Sequence, residues 1–248
     1  MLSVHLAATV QRQRISVGES CNPILEIGVW KGGWSSVILM NLPEIEVVGV
    51  DPYPFHPEAR EFMSTSFIDL GLDDRFTLAE SLDELAPDLS FAMIHVDGEH
   101  SEAAVRSDLD FAIRHLDEDG VVIVDDYRNI WYPGIAATLY QFLGTGALQM
   151  FAVSADKAYL ARPSHAGSYF HELQKTFAGS SAVPVWTNRG QTDPLTPGVR
   201  DHEFLDRPVL FCGVNPPNAD KGRRWITDFL PPAVTRLIRK ALWRLSER

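Results

Sequence analysis

The stretch from Phe91 to Tyr127, FAMIHVDGEHSEAAVRSDLDFAIRHLDEDGVVIVDDY, restricts the fold of this chain more than any other. One apolar run, Phe91 to Val96, ends in Asp97, and a second, Val121 to Val124, ends in Asp125 and Asp126. Between them Ser101 opens a helical pattern in which Val105, Leu109, Ala112 and Leu116 fall on one face, and Gly120 closes the connection. Short apolar runs without alternation, split by a helix, are the pattern of parallel strands buried on both faces. A strand–helix–strand crossover within one sheet is almost always right-handed, so both strands point the same way. Asp97, Asp125 and Asp126 then converge at one sheet edge. Three carboxylates at one point repel, and a hard divalent cation with oxygen ligands is the simple way to hold them. The alternative is that each aspartate only ends a strand and faces water.

Upstream, Asn22-Pro23 marks a turn before the apolar strand Ile24–Ile27, the loop Gly28-Val29-Trp30-Lys31-Gly32-Gly33-Trp34-Ser35 and a helix to about Asn41. Glycines let a backbone turn tightly and approach a ligand, and a helix N-terminus presents free N–H groups. The spacing is not that of a dinucleotide site, because Trp30 stands where the backbone would approach a pyrophosphate. Glu26, just before the loop, is unwelcome beside phosphates but can accept from an ammonium group. A second strand, Glu46 to Val50, ends in Asp51, placed to hold ribose hydroxyls or to serve as a turn residue before Pro52. A loop and helix to Leu70 precede a third strand, Arg75 to Ala79; Ser81 at its end can meet an adenine or cap a helix. Residues 1 to 20 read as a short helix and loop covering the sheet edge. After Asp126, the loop Tyr127-Arg128-Asn129-Ile130-Trp131-Tyr132 gathers three aromatics on the side where such sheets bind substrate. A helix from about Ile135 to Leu143 and strands Gln149–Val153 and Ala158–Ala161 follow.

In this order the pieces resemble class I S-adenosylmethionine-dependent methyltransferases, and within them the metal-dependent sugar O-methyltransferases of the macrocin O-methyltransferase group, distant relatives of catechol O-methyltransferase. The resemblance rests on LEIGVWKGG at 25–33, VVGVDPYP at 47–54, IHVDGEHS at 94–101 and VVIVDDY at 121–127, and covers residues 20 to 162. It implies an α/β fold: a doubly wound, mostly parallel seven-stranded sheet with helices on both faces, over residues 1–163, with a C-terminal extension over 164–248. It implies that Glu26, Gly28, Gly32 and Gly33 hold the methionine part of S-adenosylmethionine, Asp51 the ribose, and Ser81 the adenine side. Trp34 or Ser35 touches the cofactor. Asp97, Asp125 and Asp126 bind the metal, magnesium or manganese, with Asp97 also beside the cofactor and the reacting atoms. His100, three residues past the first metal ligand, is the candidate general base, and Tyr127, Trp131 and Tyr132 face the acceptor. His95 departs from the pattern, and a core histidine with a satisfied hydrogen bond is the reading for it. Relatives carry an aromatic where Glu102 stands.

These groups suit the chemistry. Methyl transfer from a sulfonium is an in-line displacement whose difficulty lies in the nucleophile. A bound metal stabilises an alkoxide, and an imidazole, titrating near neutrality, can take the hydroxyl proton. The expected activity is O-methylation of a sugar hydroxyl in a glycan or glycosylated metabolite. The alternatives are a phenol or catechol acceptor, or a non-catalytic module that binds S-adenosylmethionine.

A net charge of −11 argues against nucleic acid as a partner. Two cysteines, Cys21 and Cys212, without metal spacing, fit a reducing compartment. The N-terminus lacks a basic region before its apolar run, so a cytoplasmic protein is the expectation. His165 to Thr176 reads as a helix and 178–200 as an irregular lid or linker. Residues 221–248 carry net +6 and read as a basic amphipathic helix, with Val234, Leu237, Ile238, Ala241, Leu242 and Leu245 at helical spacing. Packing on the acidic body or on a second subunit of a homodimer is favoured over contact with an anionic membrane.

Overall fold

The structure, a computed structural model, describes residues 2–53, 56–154, 156–177, 184–186, 192–197, 200–204 and 207–211. The expected basic helix at 221–248 lies outside the described residues. The chain begins with α1 (Leu2–Ser16), then β1 (Ile24–Ile27), α2 (Gly33–Asn41), β2 (Val47–Val50), α3 (Pro57–Leu70) and β3 (Phe76–Ala79). The central crossover follows as β4 (Phe91–Val96), α4 (Glu102–His115) and β5 (Leu116–Val124). Then come α5 (Pro133–Thr145), β6 (Gln149–Val153), β7 (Ala158–Ala161) and α6 (Pro163–Phe177). The last elements are β8 (Pro184–Trp186), β9 (Thr192–Pro197), β10 (Arg200–Phe204) and β11 (Arg207–Phe211).

The first seven strands form the expected α/β sheet in the order β6-β7-β5-β4-β1-β2-β3. All pairs from β5 to β3 are parallel, and β7 inserts antiparallel between β5 and β6. Two further strands extend it: β11 pairs in parallel with β6 and β10 pairs antiparallel with β11. The segment read as irregular from 178 to 200 contains β8 and β9, which pair antiparallel.

Strand parity sorts the apolar residues into two cores. Ile24, Met93, Val121, Ile123 and Tyr159 face the helices α1, α2, α3 and α6. Leu25, Ile94, Val122, Val124 and Leu160 face α4 and α5. Ala166, Tyr169, Phe170 and Leu173 of α6 belong to the first core, so residues just past 163 pack with the body. Helix α1 packs on α2, β4 and β5, which places it over the middle of the sheet rather than at its edge. It goes there because Leu6, Ala7 and Val10 form an apolar stripe, while Arg14 pairs with Asp117 at 3.0 Å and with Asp119. That pairing also explains why β5 starts at Leu116, five residues before the apolar run. The acids at its start are held in place: Asp117 takes Arg14 and the Asn22 amide (2.8 Å), and Glu118 takes Arg162 (3.3 Å).

Among the described residues no helix is long and apolar enough to cross a membrane.

Candidate active site

Parallel pairing carries the ends of β1, β2, β4 and β5 to one edge, and the backbone fixes the acids there. The Asp97 N–H donates to the Ile27 carbonyl (2.8 Å) and the Asp125 N–H to the Val96 carbonyl (2.9 Å). Asp97, His100 and Asp126 present ligand-type atoms all within 4.8 Å of one another, and so do His95, Asp97 and Asp125. His100 Nε2 lies 3.8 Å from Asp97 Oδ1 and 3.7 Å from Asp126 Oδ2. Its ring packs at 4.2 Å, centroid to centroid, on Tyr132. The Asp97 hydrogen bond raises the His100 pKa; burial opposes this, and the charge of Asp126 reinforces it. Burial and then the neighbouring Asp125 charge push the Asp126 carboxyl up. Asp126 also sits at φ 53°, a left-handed conformation that costs a non-glycine residue energy. Its N–H to Asp125 Oδ1 (2.8 Å) and its carbonyl, accepting from Asn129 N–H (2.9 Å), hold it there. The donors are carboxylate oxygens with an imidazole at the margin, a set that fits a hard divalent cation.

The glycine loop is tied to the second strand. Asp51 Oδ2 accepts from the Val29 N–H (3.0 Å) and the Trp30 N–H (2.8 Å), and Oδ1 from the Tyr53 N–H (2.9 Å). Tyr53 closes the loop by donating its hydroxyl to the Trp30 carbonyl at 2.6 Å. Oδ2 is filled by its two N–H donors, whereas Oδ1 accepts one bond and keeps a second lone pair for a ribose hydroxyl beside its turn role. Gly28 and Gly32 are at φ 86° and 71°. A Cβ on Gly28 would lie 2.0 Å from the Asp97 carbonyl oxygen, and one on Gly32 would strike the Phe67 ring at 2.6 Å. At Gly33 a Cβ would meet nothing within 4 Å, so the start of α2 is open, as a cradle for a bound cofactor must be. Ser81 is exposed at the end of β3, and its side chain makes no cap bond.

Glu26, Trp34 and Ser35 all turn inward. Glu26 is 2% exposed, accepts from the Ser35 hydroxyl, and lies 3.5 Å from His95 Nδ1. Burial pushes the Glu26 carboxyl up, with His95 and Ser35 pulling the other way. Trp34 stacks on His95 at 4.3 Å. Of the aromatic loop, Trp131 is 80% exposed and Tyr132 covers His100, but Tyr127 corrects the expectation. It is buried in the second core, drawn in by its N–H to the Asp156 carbonyl (3.1 Å), so its ring fills space between layers instead of facing an acceptor.

One residue of this edge was not anticipated. Lys157, in the turn before β7, bonds Asp125 Oδ2 through Nζ and reaches His95 Nε2 at 2.9 Å. No motif marks it. The only sequence signal is its parity with Tyr159, two residues on, and that helps only once β7 is known to lie against β5.

Behind the edge, Asp108 of α4 faces Gly98, where a Cβ would come within 3.1 Å of its Oδ2. Burial, and then the charge of Glu99, push its carboxyl up to about 6. A carboxyl raised on folding favours the native state most below its unfolded value, and loses that advantage as pH rises through about 6. Asp108→Asn is therefore expected to stabilise the protein by about 2 kcal/mol at pH 8 and to change little at pH 4. Urea denaturation at the two pH values measures the difference.

The fold has solved counterparts. Cofactor-bound Rv0187 from MTB superposes with a TM-score of 0.50 at 18% identity, over 64% of this chain and 78% of the other. A protein from Staphylococcus aureus described as a candidate caffeoyl-CoA O-methyltransferase gives 0.52 at 14% identity, over 65% and 83%. A search of curated proteins finds no match. Residues 25–127, the stretch that contributes Glu26, Asp51, Asp97, His100, Asp125 and Asp126, match the family described as a methyltransferase domain.

Proposed function

We propose that the protein is an S-adenosylmethionine-dependent O-methyltransferase that uses a divalent cation and acts on a sugar hydroxyl. The observation that carries the proposal is the placing of His100 between Asp97 and Asp126, beside the loop closed by Asp51. The open start of α2 and the Asp51 carboxylate suit the methionine and ribose parts of the cofactor. The acceptor oxygen attacks the sulfonium methyl in line, the C–S bond breaks, and the hydroxyl proton passes to His100 Nε2. Asp97 and Asp126 then stabilise the imidazolium, and the products are a methyl ether and S-adenosylhomocysteine. Asp97, Asp125 and Asp126 would hold a divalent cation, which would supply Lewis-acid stabilisation of the acceptor oxygen. Tyr132, packed on His100, and the exposed Trp131 next to it in the chain offer flat faces on which a sugar ring can lie. The same faces suit a phenol or catechol, which is the second reading.

Calorimetry with S-adenosylmethionine is expected to show binding, and its absence would remove both acceptor readings together. Methyl transfer to a panel of sugars and phenols is expected to favour sugars and to stop in chelator. Full activity in chelator would remove the cation, and preference for phenols would reverse the acceptor.

A further inference from the structure

Four side chains lie in a row across adjacent strands at the carboxyl edge, on the side of the first core. Glu26 of β1 is the register partner of His95 of β4. Asp125 follows β5, and Lys157 precedes β7; because Val124 pairs antiparallel with Ala158, the next positions outward are Asp125 and Lys157. Acidic and basic residue types alternate along the row. Glu26 and His95 are almost wholly buried, under Ser35 and Trp34 of α2. At the far end the Lys157 ammonium holds Asp125 Oδ2 and also meets His95 Nε2 at 2.9 Å. An ammonium has protons to give and no lone pair, so that imidazole nitrogen is the acceptor. His95 therefore presents Nε2 unprotonated, and its proton-bearing Nδ1 faces Glu26 Oε1 at 3.5 Å.

We propose that Lys157 is a built-in competitor for the divalent cation. It neutralises Asp125 while the ion is away, lowers the affinity of the cluster by its charge, and keeps His95 Nε2 as a partner when the ion takes the carboxylate. The proposal rests on the cation reading above, and it names positioning roles for two residues outside the metal and cofactor sets. It also accounts for an imidazole at position 95, between two apolar neighbours of β4 that are themselves fully buried. Without an acceptor there, a displaced ammonium 23% exposed would lose one partner and gain none. A unit charge within a few ångströms of a divalent ion opposes it even in a watery dielectric, and the expected effect on affinity is roughly tenfold or more.

The test is a manganese titration of the full chain, free Mn2+ being followed by electron paramagnetic resonance, without methyl donor or acceptor. Lys157→Met is expected to bind Mn2+ about tenfold more tightly than the natural protein, and Lys157→Gln to do the same should the first variant fold poorly. In an Asp125→Asn background the lysine substitution is expected to lose most of its effect, because the shared carboxylate is gone. Binding by the variant that is unchanged or weaker overturns the proposal, and so does an absence of Mn2+ binding by both proteins. S-adenosylmethionine calorimetry on the natural protein separates the two levels. Cofactor binding with no tightening in Lys157→Met sinks the competitor and spares the transferase. Tightening without cofactor binding does the reverse.

Discussion

Gly28→Ala is expected to leave a protein that is barely folded at room temperature and binds no S-adenosylmethionine. Two costs add at this position. The backbone is at φ 86°, where an L side chain costs about 1–2 kcal/mol. The new methyl would also lie 2.0 Å from the Asp97 carbonyl oxygen and 2.5 Å from its carbon, atoms of a backbone that cannot swing aside. That carbonyl belongs to a residue whose N–H is tied to Ile27, so relief requires β1 and β4 to part at their ends. A loss of at least about 3 kcal/mol is expected, read as a fall in the urea midpoint. A midpoint shift under about 1 kcal/mol would show that the two strand ends are not in contact.

Asp97→Asn is expected to behave in the opposite way, with activity falling by about a thousandfold while the protein stays folded. The loop is positioned by the Asp97 backbone, which the substitution keeps. What goes is the carboxylate that faces His100 at 3.8 Å and shares ligand distance with both Asp125 and Asp126. Removing one of several clustered charges also relieves repulsion, since the Asp97 charge is among the causes that raise the Asp126 carboxyl. The melting temperature is therefore expected to hold or rise, the usual exchange between stability and function at a charged site. Radiolabelled methyl transfer alongside a thermal melt tests both halves. A variant that retains a tenth of the activity, or that melts well below the natural protein, would deny Asp97 the role given it here.

Much of this edge is legible in the sequence. Apolar runs bounded by turn residues gave β1, β4, β6 and β7 to the residue, because strands buried on both faces carry their own signal. Asp97, Asp125 and Asp126 end such runs, so crossover handedness places them at one edge, where Asp97 shares ligand distance with Asp125 and with Asp126 in two separate groups. What escaped depends on pairing between distant segments. The start of β5 reads as a polar loop, since nothing local says that Arg14 and Arg162 neutralise Asp117 and Glu118. Tyr127 looks like a loop aromatic until its N–H finds Asp156. Lys157 is one cation in a turn, and its partner lies 32 residues away. The extra strands β10 and β11 depend on an edge of the sheet left open by β6, which no local pattern reveals.

The reversed direction of β7 has a consequence for how such a fold diversifies. A parallel neighbour would bring its own strand end, and with it another buried and constrained position, to the edge beside β5. Because β7 runs backwards, it delivers the outer turn around Ser154 to Lys157 instead. That turn is short, bounded by the Ser154 N–H to the Lys157 carbonyl (2.8 Å), and it carries little of either apolar layer. On the cation reading proposed above, a change at position 157 would alter how strongly this edge holds an ion while the aspartate-bearing strands stay fixed.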